Sequence, residues 1–220
     1  MNKFILFSNI KGGVGKTTLC AHFTEYLAEQ EFPVAAVDAD LQASLSRHRE
    51  RDVKEDPKRP IPWEVIKLNT FEKDKVESVV KKLKKLKKVD GIIVVDCPGN
   101  LNDNNLSVLF EAADLIVVPM AFDVDTIDAT GIFTNVVKKR SKAKLLFLPN
   151  RINVSEGKAK ELEMRDKTIK DLNRIGKVLP RIKQSVIIKR YTTIYPLDMY
   201  QYMALEEPFN AIIAEIKKIK

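Results

Sequence analysis

The sequence has very little cysteine and no long hydrophobic run. Cys20 and Cys97 are the only cysteines among its 220 residues, so a disulfide framework is excluded and no metal-ligand spacing is present. No run approaches the roughly 18 apolar residues of a membrane span, and no charged-then-apolar signal peptide opens the chain. These absences argue against a secreted disulfide scaffold and an integral membrane protein, and they favour a cytoplasmic location.

The length and charge of the chain indicate how many domains it forms and what kind of partner it binds. A chain of 220 residues is long enough for one sizeable core, and we predict a single domain over residues 1–220. A composition of 45% hydrophobic and 31% charged residues is ordinary for a globular protein. The formal net charge of +8 favours contact with nucleic acid or another polyanion.

A glycine-rich turn near the start of the chain predicts a phosphate cradle. Residues 4–8 are an apolar run typical of a buried strand, and a helical pattern opens at Lys16. Glycines let loop N–H groups converge on an anion, and a helix N-terminus adds partial positive charge. Lys16 is then expected to reach the β- and γ-phosphates, and the Thr17 hydroxyl to bind Mg²⁺. The residues expected to contact the nucleotide are Gly12, Gly13, Val14, Gly15, Lys16, Thr17 and Thr18.

The turn departs in one place from the usual G-x-x-x-x-G-K-[ST] pattern. Ile10 stands where the first glycine is expected, and a second lysine, Lys11, follows it. Because Lys16 already serves a nucleotide within the subunit, we expect Lys11 to deliver its charge to phosphates of a neighbouring molecule, as an arginine finger can. The alternative is a solvated loop lysine.

Aspartates follow two further predicted strands. Asp38 and Asp40 come directly after the apolar residues 34–37, and Asp96 ends the most apolar strand pattern, residues 91–96. Ligands bind beyond the carboxyl ends of the strands in open α/β sheets. Carboxylates in that place can hold hydrated Mg²⁺ or orient an attacking water, so we expect Asp38 and Asp96 near the metal.

Alternating strand and helix patterns predict an α/β fold with a mostly parallel, twisted sheet and helices on both faces. Residues 46–62 are charged and contain proline, so we expect an exposed connection of low order there. The remaining strand patterns cover 62–68, 115–119, 144–149 and 177–179, and the helix patterns cover 17–30, 72–89, 123–140, 158–174 and the residues after 196.

Three strings resemble the motifs of the ParA/MinD family of deviant Walker A P-loop ATPases. They are K-G-G-V-G-K-T-T at 11–18, D-A-D-L-Q-A-S at 38–44 and C-P-G at 97–99, and they occur in the family's order. The resemblance covers residues 2 to about 207 and is closest to small ParA-type DNA partition ATPases. It implies a P-loop NTPase fold of the deviant Walker A (SIMIBI) type with ATP and Mg²⁺ as cofactors. It also implies that Lys11 crosses a dimer interface, Asp40 positions the hydrolytic water, Asn150 contacts adenine, and Pro180 lies where relatives close over the base.

The resemblance also implies a function. We expect an ATP-sandwich homodimer that binds DNA non-specifically and drives plasmid or chromosome partitioning through slow hydrolysis, stimulated by a centromere-binding ParB-type partner. We expect the protein to associate with the nucleoid and not to insert stably in membranes. Because the first strand opens the chain, we expect no N-terminal helix-turn-helix, so that site-specific DNA recognition falls to the partner.

Two basic clusters compete as the predicted DNA surface. The favoured one holds Lys183, Lys189 and Arg190 beside Tyr191, in the part of the chain where the resembled proteins carry their DNA surface. The other is the lysine-rich face of residues 81–88, for which a merely solvated helix face is the alternative. Asn150 likewise has the alternative of a simple turn asparagine.

Other functions remain open at this point. A MinD-like membrane-cycling ATPase is disfavoured because the chain stops at Lys220, within the predicted last helix, without a basic amphipathic tail. A relative that positions cargo, such as a transfer or secretion complex, is a further alternative. A small-molecule ligase or kinase on the same fold is disfavoured by Lys11.

Overall fold

The computed structural model describes residues 2–68, 76–86, 88–100, 104–153 and 157–219. Within these ranges no helix is long and apolar enough to cross a bilayer. The strands are β1 (Asn2–Phe7), β2 (Val34–Asp38), β3 (Glu64–Lys67), β4 (Gly91–Asp96), β5 (Leu115–Met120), β6 (Lys144–Pro149) and β7 (Lys177–Val178). The helices are α1 (Lys16–Glu29), α2 (Ser44–Glu55), α3 (Val76–Leu86), α4 (Asn104–Ala112), α5 (Val124–Lys138), α6 (Ala159–Asn173), α7 (Val186–Lys189) and α8 (Met199–Ile216).

The seven strands form one sheet in the order β3-β2-β4-β1-β5-β6-β7. Every neighbouring pair of these strands is parallel. The chain leaves β1 toward β2 on one side and later returns to β5 on the other, so the carboxyl end of β1 is a topological switch point, where ligands bind in open α/β sheets. The predicted α/β fold is confirmed.

Helices cover both faces of the sheet because its central strands are apolar on both sides. Alternate residues of β1 enter opposite clusters, with Ile5 and Phe7 in one and Phe4 and Leu6 in the other. Side chains from α1, α2 and α8 complete the first cluster, and side chains from α4, α5 and α6 complete the second. β1 is therefore buried from both faces, and the loop after it is anchored at the centre of the fold.

The prediction of an exposed connection over residues 46–62 was wrong, because most of this segment is α2. The helix has few apolar residues and is held largely by polar contacts. The Arg49 guanidinium is buried, donates to the carbonyl oxygens of Trp63 (2.7 Å) and Thr193 (2.8 Å), and lies 4.3 Å from the Trp63 ring centroid. Asp52 accepts hydrogen bonds from the Thr193 N–H and hydroxyl, both at 2.7 Å. Hydrophobic periodicity could not reveal a helix anchored in this way.

The other predicted elements are observed with small shifts at their ends, and besides α2 two further helices were not predicted. The pattern over 72–89 is helical over Val76–Leu86, while residues 72–75 and 87 lie outside the described residues. The unpredicted helices α4 and α7 have nine and four residues, too few to establish a helical period.

A buried carboxyl group joins α1 to the residue that precedes β3. The Trp63 indole N–H donates to Glu25 Oε2 at 2.6 Å, and the Glu25 residue is only 3% exposed. Burial raises the pKa of Glu25 to about 7, although the Trp63 hydrogen bond opposes the rise. The folded protein therefore binds a proton at Glu25 in a pH range where the unfolded chain has released it.

This difference predicts that stability falls as the pH rises from about 4.5 to about 7, because the folded state binds the extra proton in that window. Glu25→Gln keeps an oxygen acceptor for the Trp63 N–H but cannot ionise. Urea unfolding should show the stability of Glu25→Gln rising relative to wild type by up to about 3 kcal/mol between pH 4.5 and pH 8. The exposed-site control Glu163→Gln should follow wild type, and a Glu25→Gln curve parallel to wild type would contradict the assignment.

Candidate nucleotide site

The loop between β1 and α1 has the backbone of an anion cradle. Gly13 (φ 75°) and Gly15 (φ 96°) adopt left-handed conformations that favour glycine. A Cβ at Gly15 would lie 2.6 Å from Asn150 Nδ2, so the loop also has no room for a side chain there. Gly15 precedes α1 without a side-chain cap, and the first turn of α1 carries no acidic residue. The N–H groups and the positive end of the helix dipole are therefore available to a bound anion.

Two side chains that follow β6 grip this loop by its carbonyl groups. Asn150 Nδ2 donates to the Val14 oxygen at 2.8 Å, and Arg151 Nη1 donates to the Gly13 oxygen at 2.9 Å. Asn150 is buried, and Arg151 adopts φ 59°. The sequence predicted adenine recognition by Asn150, whereas here its amide N–H bonds the loop; adenine contact stays a prediction. The loop contact of Arg151 was missed, because no local pattern indicates a bond across 138 residues.

Lys16 and the aspartates share one charged pocket at the carboxyl edge of the sheet. Lys16 Nζ lies 3.3 Å from the Lys11 carbonyl oxygen. Burial lowers the pKa of Lys16, while the charges of Asp96 and Asp40 oppose that change. The structure thus brings together Lys16, Asp40 and Asp96, and the catalytic and metal roles expected of them stay predictions.

The Asp96 carboxylate is buried, and its oxygens accept no well-formed hydrogen bond from the described residues. Asp38 and Asp96 stand opposite each other in register at the ends of β2 and β4, and both are fully buried. Burial raises the pKa of Asp96 to about 7; the Thr17 hydroxyl close by opposes the rise, and the Asp38 charge adds to it. A buried carboxylate that lacks well-formed hydrogen bonds is a site that a further cation would complete.

The oxygen groups around Asp96 fit Mg²⁺ in type. Mg²⁺ usually binds one or two protein oxygens and completes its shell with phosphate and water, and Thr17 and Asp96 offer a hydroxyl and a carboxylate. Asp38 is more engaged, because its Oδ2 accepts the Ser46 N–H at 2.7 Å and its Oδ1 accepts the Asp40 N–H at 3.3 Å. Among the described residues, no group of three or more His, Cys, Asp or Glu could hold a metal on its own.

The Lys11 side chain contacts a different part of the structure from the Lys16 side chain. Its Nζ lies 3.3 Å from the exposed Asp125 carboxylate on α5, and about a third of its own side chain is exposed. Its backbone N–H donates to Asn9 Oδ1 at 3.3 Å, and Asn9 is fully buried. Sequence reasoning singled out neither Asn9 nor Asp125, because their partners are set by the fold.

Asp40, half-buried, accepts the Gln42 N–H at 2.9 Å, which fixes its carboxylate.

A cavity of about 710 Å³ opens beside the exposed glycines of the loop. This volume is ample for a drug-sized ligand. Pro180, half-buried, directly precedes Arg181, whose side chain lines the cavity. Other lining residues include Lys11, Gly12, Gly13, Arg151 and Gln184.

Comparison with known proteins agrees with this geometry. The chain is 34% identical over 113 residues (50% of this chain, 45% of the relative) to maintenance of carboxysome distribution protein A of Gloeobacter kilaueensis. The matched stretches span less than half the length of the curated relatives. Among solved structures, apo McdA of Cyanothece superposes with a TM-score of 0.77 (17% identity, 98% of this chain and 100% of that chain). A putative plasmid partition protein of Borrelia burgdorferi bound to AMPPNP gives 0.75 (18% identity, 97% and 99%).

The two solved structures share the fold, and the family follows from the sequence. Residues 5–193, most of the chain, match the family described as the CobQ/CobB/MinD/ParA nucleotide-binding domain. The family expected from the three motifs is confirmed. The chain is a member of the CobQ/CobB/MinD/ParA family of nucleotide-binding domains.

Proposed function

We propose that this protein is a ParA-type ATPase, folded as a single domain, that dimerises around ATP, binds DNA non-specifically and drives DNA partitioning. The observation that carries the proposal is that the two lysines of one loop have different surroundings. Lys16 is half-buried and its charge interacts with those of Asp96 and Asp40 in its own subunit, whereas Lys11 pairs with the exposed Asp125. A loop that only bound a nucleotide within its subunit would not need the second cation.

The residues around the loop can be assigned roles on this basis. The backbone of residues 12–18 binds the phosphates, and Lys16 neutralises their charge. Thr17, Asp96 and, less directly, Asp38 hold Mg²⁺, which supplies further charge neutralisation at the phosphates when it is bound. Asp40 orients the attacking water, a role supported by its fixed, half-buried carboxylate beside Lys16. Asn150 and the segment of Pro180 serve the adenine side.

The DNA surface is proposed at the basic cluster around α7. Lys183, Lys189 and Arg190 are all exposed, and the chain carries a net charge of +8. A centromere-binding ParB-type partner would stimulate hydrolysis and supply site specificity. We infer a cytoplasmic, nucleoid-associated protein, which the exposed basic cluster and the net charge support.

A cargo-positioning ATPase is the second candidate. It is favoured by the 34% identity to a protein named for carboxysome distribution. A membrane-cycling role has less support, because the apolar stripe of α8, with Phe209, Ile212 and Ile216, is buried against the sheet. That stripe is used for packing.

Lys16→Ala tests nucleotide binding. Loss of a charge-assisted contact to phosphate should weaken ATP affinity by about 10- to 100-fold, or roughly 1.5–3 kcal/mol. Titration with a fluorescent ATP analogue in the presence of Mg²⁺ measures the change. Lys142→Ala, an exposed lysine before the amino end of β6 and so at the opposite edge of the sheet, is the matched control. Undiminished affinity in Lys16→Ala would refute the role of the loop.

Lys11→Ala should separate nucleotide binding from dimerisation. If Lys11 acts on the partner's nucleotide, the monomer should keep ATP affinity within about threefold of wild type, since its own site retains Lys16. Sedimentation velocity with ATP and Mg²⁺ should show the dimer of wild type but not of Lys11→Ala. Equal loss of both properties would instead place Lys11 in its own subunit's site and remove the basis of the sandwich dimer.

DNA binding is tested by two charge-matched pairs of substitutions. Lys189→Glu with Arg190→Glu should weaken ATP-dependent binding to random-sequence duplex and lower the salt slope by roughly two units, because each phosphate contact contributes about one. Lys84→Glu with Lys85→Glu, on the exposed face of α3, changes the net charge equally and should leave the slope unchanged. The reverse pattern would move the surface to α3. Absence of duplex binding by wild type at low salt would favour the cargo-positioning alternative.

A further inference from the structure

A basic groove runs along the exposed side of α2, where the sequence predicted an exposed connection. We call it the α2 groove; its volume is about 540 Å³, and it is separate from the cavity beside the phosphate loop. It holds three cationic side chains and one anionic side chain, which leaves it positively charged. The groove is lined by Ser44, Arg47, Glu50, Arg51, Lys54 and Tyr191.

The cations form a stripe along the helix. Arg47, Arg51 and Lys54 are exposed and spaced at i, i+4 and i+7, so they share one face, with rises of ~6 Å and ~4.5 Å along the axis. The opposite face is fixed, because Arg49 and Asp52 are hydrogen-bonded to the segment before α8. The stripe is therefore carried by an anchored helix rather than by a mobile loop.

An aromatic side chain forms the other wall of the groove. The Tyr191 ring stacks on His48 of α2, with centroids 4.2 Å apart and an interplanar angle of 23°. Tyr191 directly follows Lys189 and Arg190, so the α2 groove adjoins the basic cluster around α7 along the chain. Basic residues around an aromatic ring are typical of surfaces that contact nucleic acid.

We propose that the α2 groove binds the phosphate backbone of a DNA duplex, which extends the surface assigned above and rests on the proposed DNA-binding function. An anionic membrane is the less suitable partner, because interfacial helices insert an apolar face into the lipid. The apolar residues of α2 are only Leu45 and Val53; Leu45 is fully buried, and neither lines the groove. The exposed face of α2 therefore carries charged side chains but no apolar side chain that could insert into lipid.

The groove is also connected directly to the nucleotide site. Asp38, opposite Asp96, accepts the Ser46 N–H in the first turn of α2 at 2.7 Å. Ala43 precedes the helix with φ 47°, so a tight turn links Asp40 to α2. A change in the Asp38–Asp40 loop on nucleotide binding would therefore act directly on the first turn of the helix that carries the groove.

The test is a neutralised groove, Arg47→Gln with Arg51→Gln and Lys54→Gln. Binding of a random-sequence duplex is measured by fluorescence anisotropy with ATP and Mg²⁺ at several salt concentrations. We expect the slope of log K against log salt to fall by about two to three units, because three phosphate contacts are lost. ATP affinity and melting temperature, measured in parallel, should stay near wild type, because these side chains lie outside the nucleotide site.

Two controls make the result specific. Lys138→Gln with Lys139→Gln and Lys142→Gln removes the same charge from exposed positions at the end of α5 and just after it, and should leave the slope unchanged. Arg47→Lys with Arg51→Lys keeps the charge and should keep the slope.

If wild type binds duplex and the neutralised groove behaves like the first control, the groove is not a DNA surface and only this inference is lost. If wild type does not bind duplex, the proposed DNA function falls with it. A neutralised groove that loses binding to phosphatidylserine vesicles but not to duplex would also overturn the inference.

Discussion

The buried carboxylate of Asp96 is the constraint on which this end of the molecule depends. A charged group without well-formed hydrogen bonds is costly in the protein interior, and it persists where something else supplies compensating charge. The parallel sheet brings the carboxyl ends of β1, β2 and β4 to one edge, and so gathers Lys16, Asp38 and Asp96 within one pocket. The glycine loop and the uncapped N-terminus of α1 add further positive potential. A phosphate with its metal fits this arrangement of charges.

The loop itself is held from outside as well as by its own conformation. Asn150 and Arg151 bond its carbonyl groups, which leaves the opposite, N–H side of the loop free for an anion. A cradle that is already ordered loses little conformational entropy when it binds. The hydrogen bonds of Asn150 and Arg151 therefore contribute to anion affinity without either side chain needing to touch the phosphates.

The sequence predicted all seven strands of the described sheet and the glycine loop because both depend on local patterns. The apolar run of Gly91–Asp96 and the glycines after β1 can be identified without tertiary information. α2 could not, because its buried face is polar: Arg49 is satisfied by a carbonyl and a hydroxyl 144 residues away. The contacts of Arg151 with the loop and of Lys11 with Asp125 are equally long-range. Residue type and spacing indicate the chemistry of a site, whereas its supporting contacts emerge only from the fold.

The hydrogen bond from Ser46 to Asp38 has a thermodynamic consequence. The Asp38 carboxylate, which lies in register with Asp96, also caps the first turn of α2, and such a cap is typically worth about 1 kcal/mol to a helix. Any partner that binds α2 and favours one arrangement of this carboxylate must alter the affinity for nucleotide, and the nucleotide must alter the affinity for that partner by the same factor. A single shared oxygen would make the two binding events reciprocal.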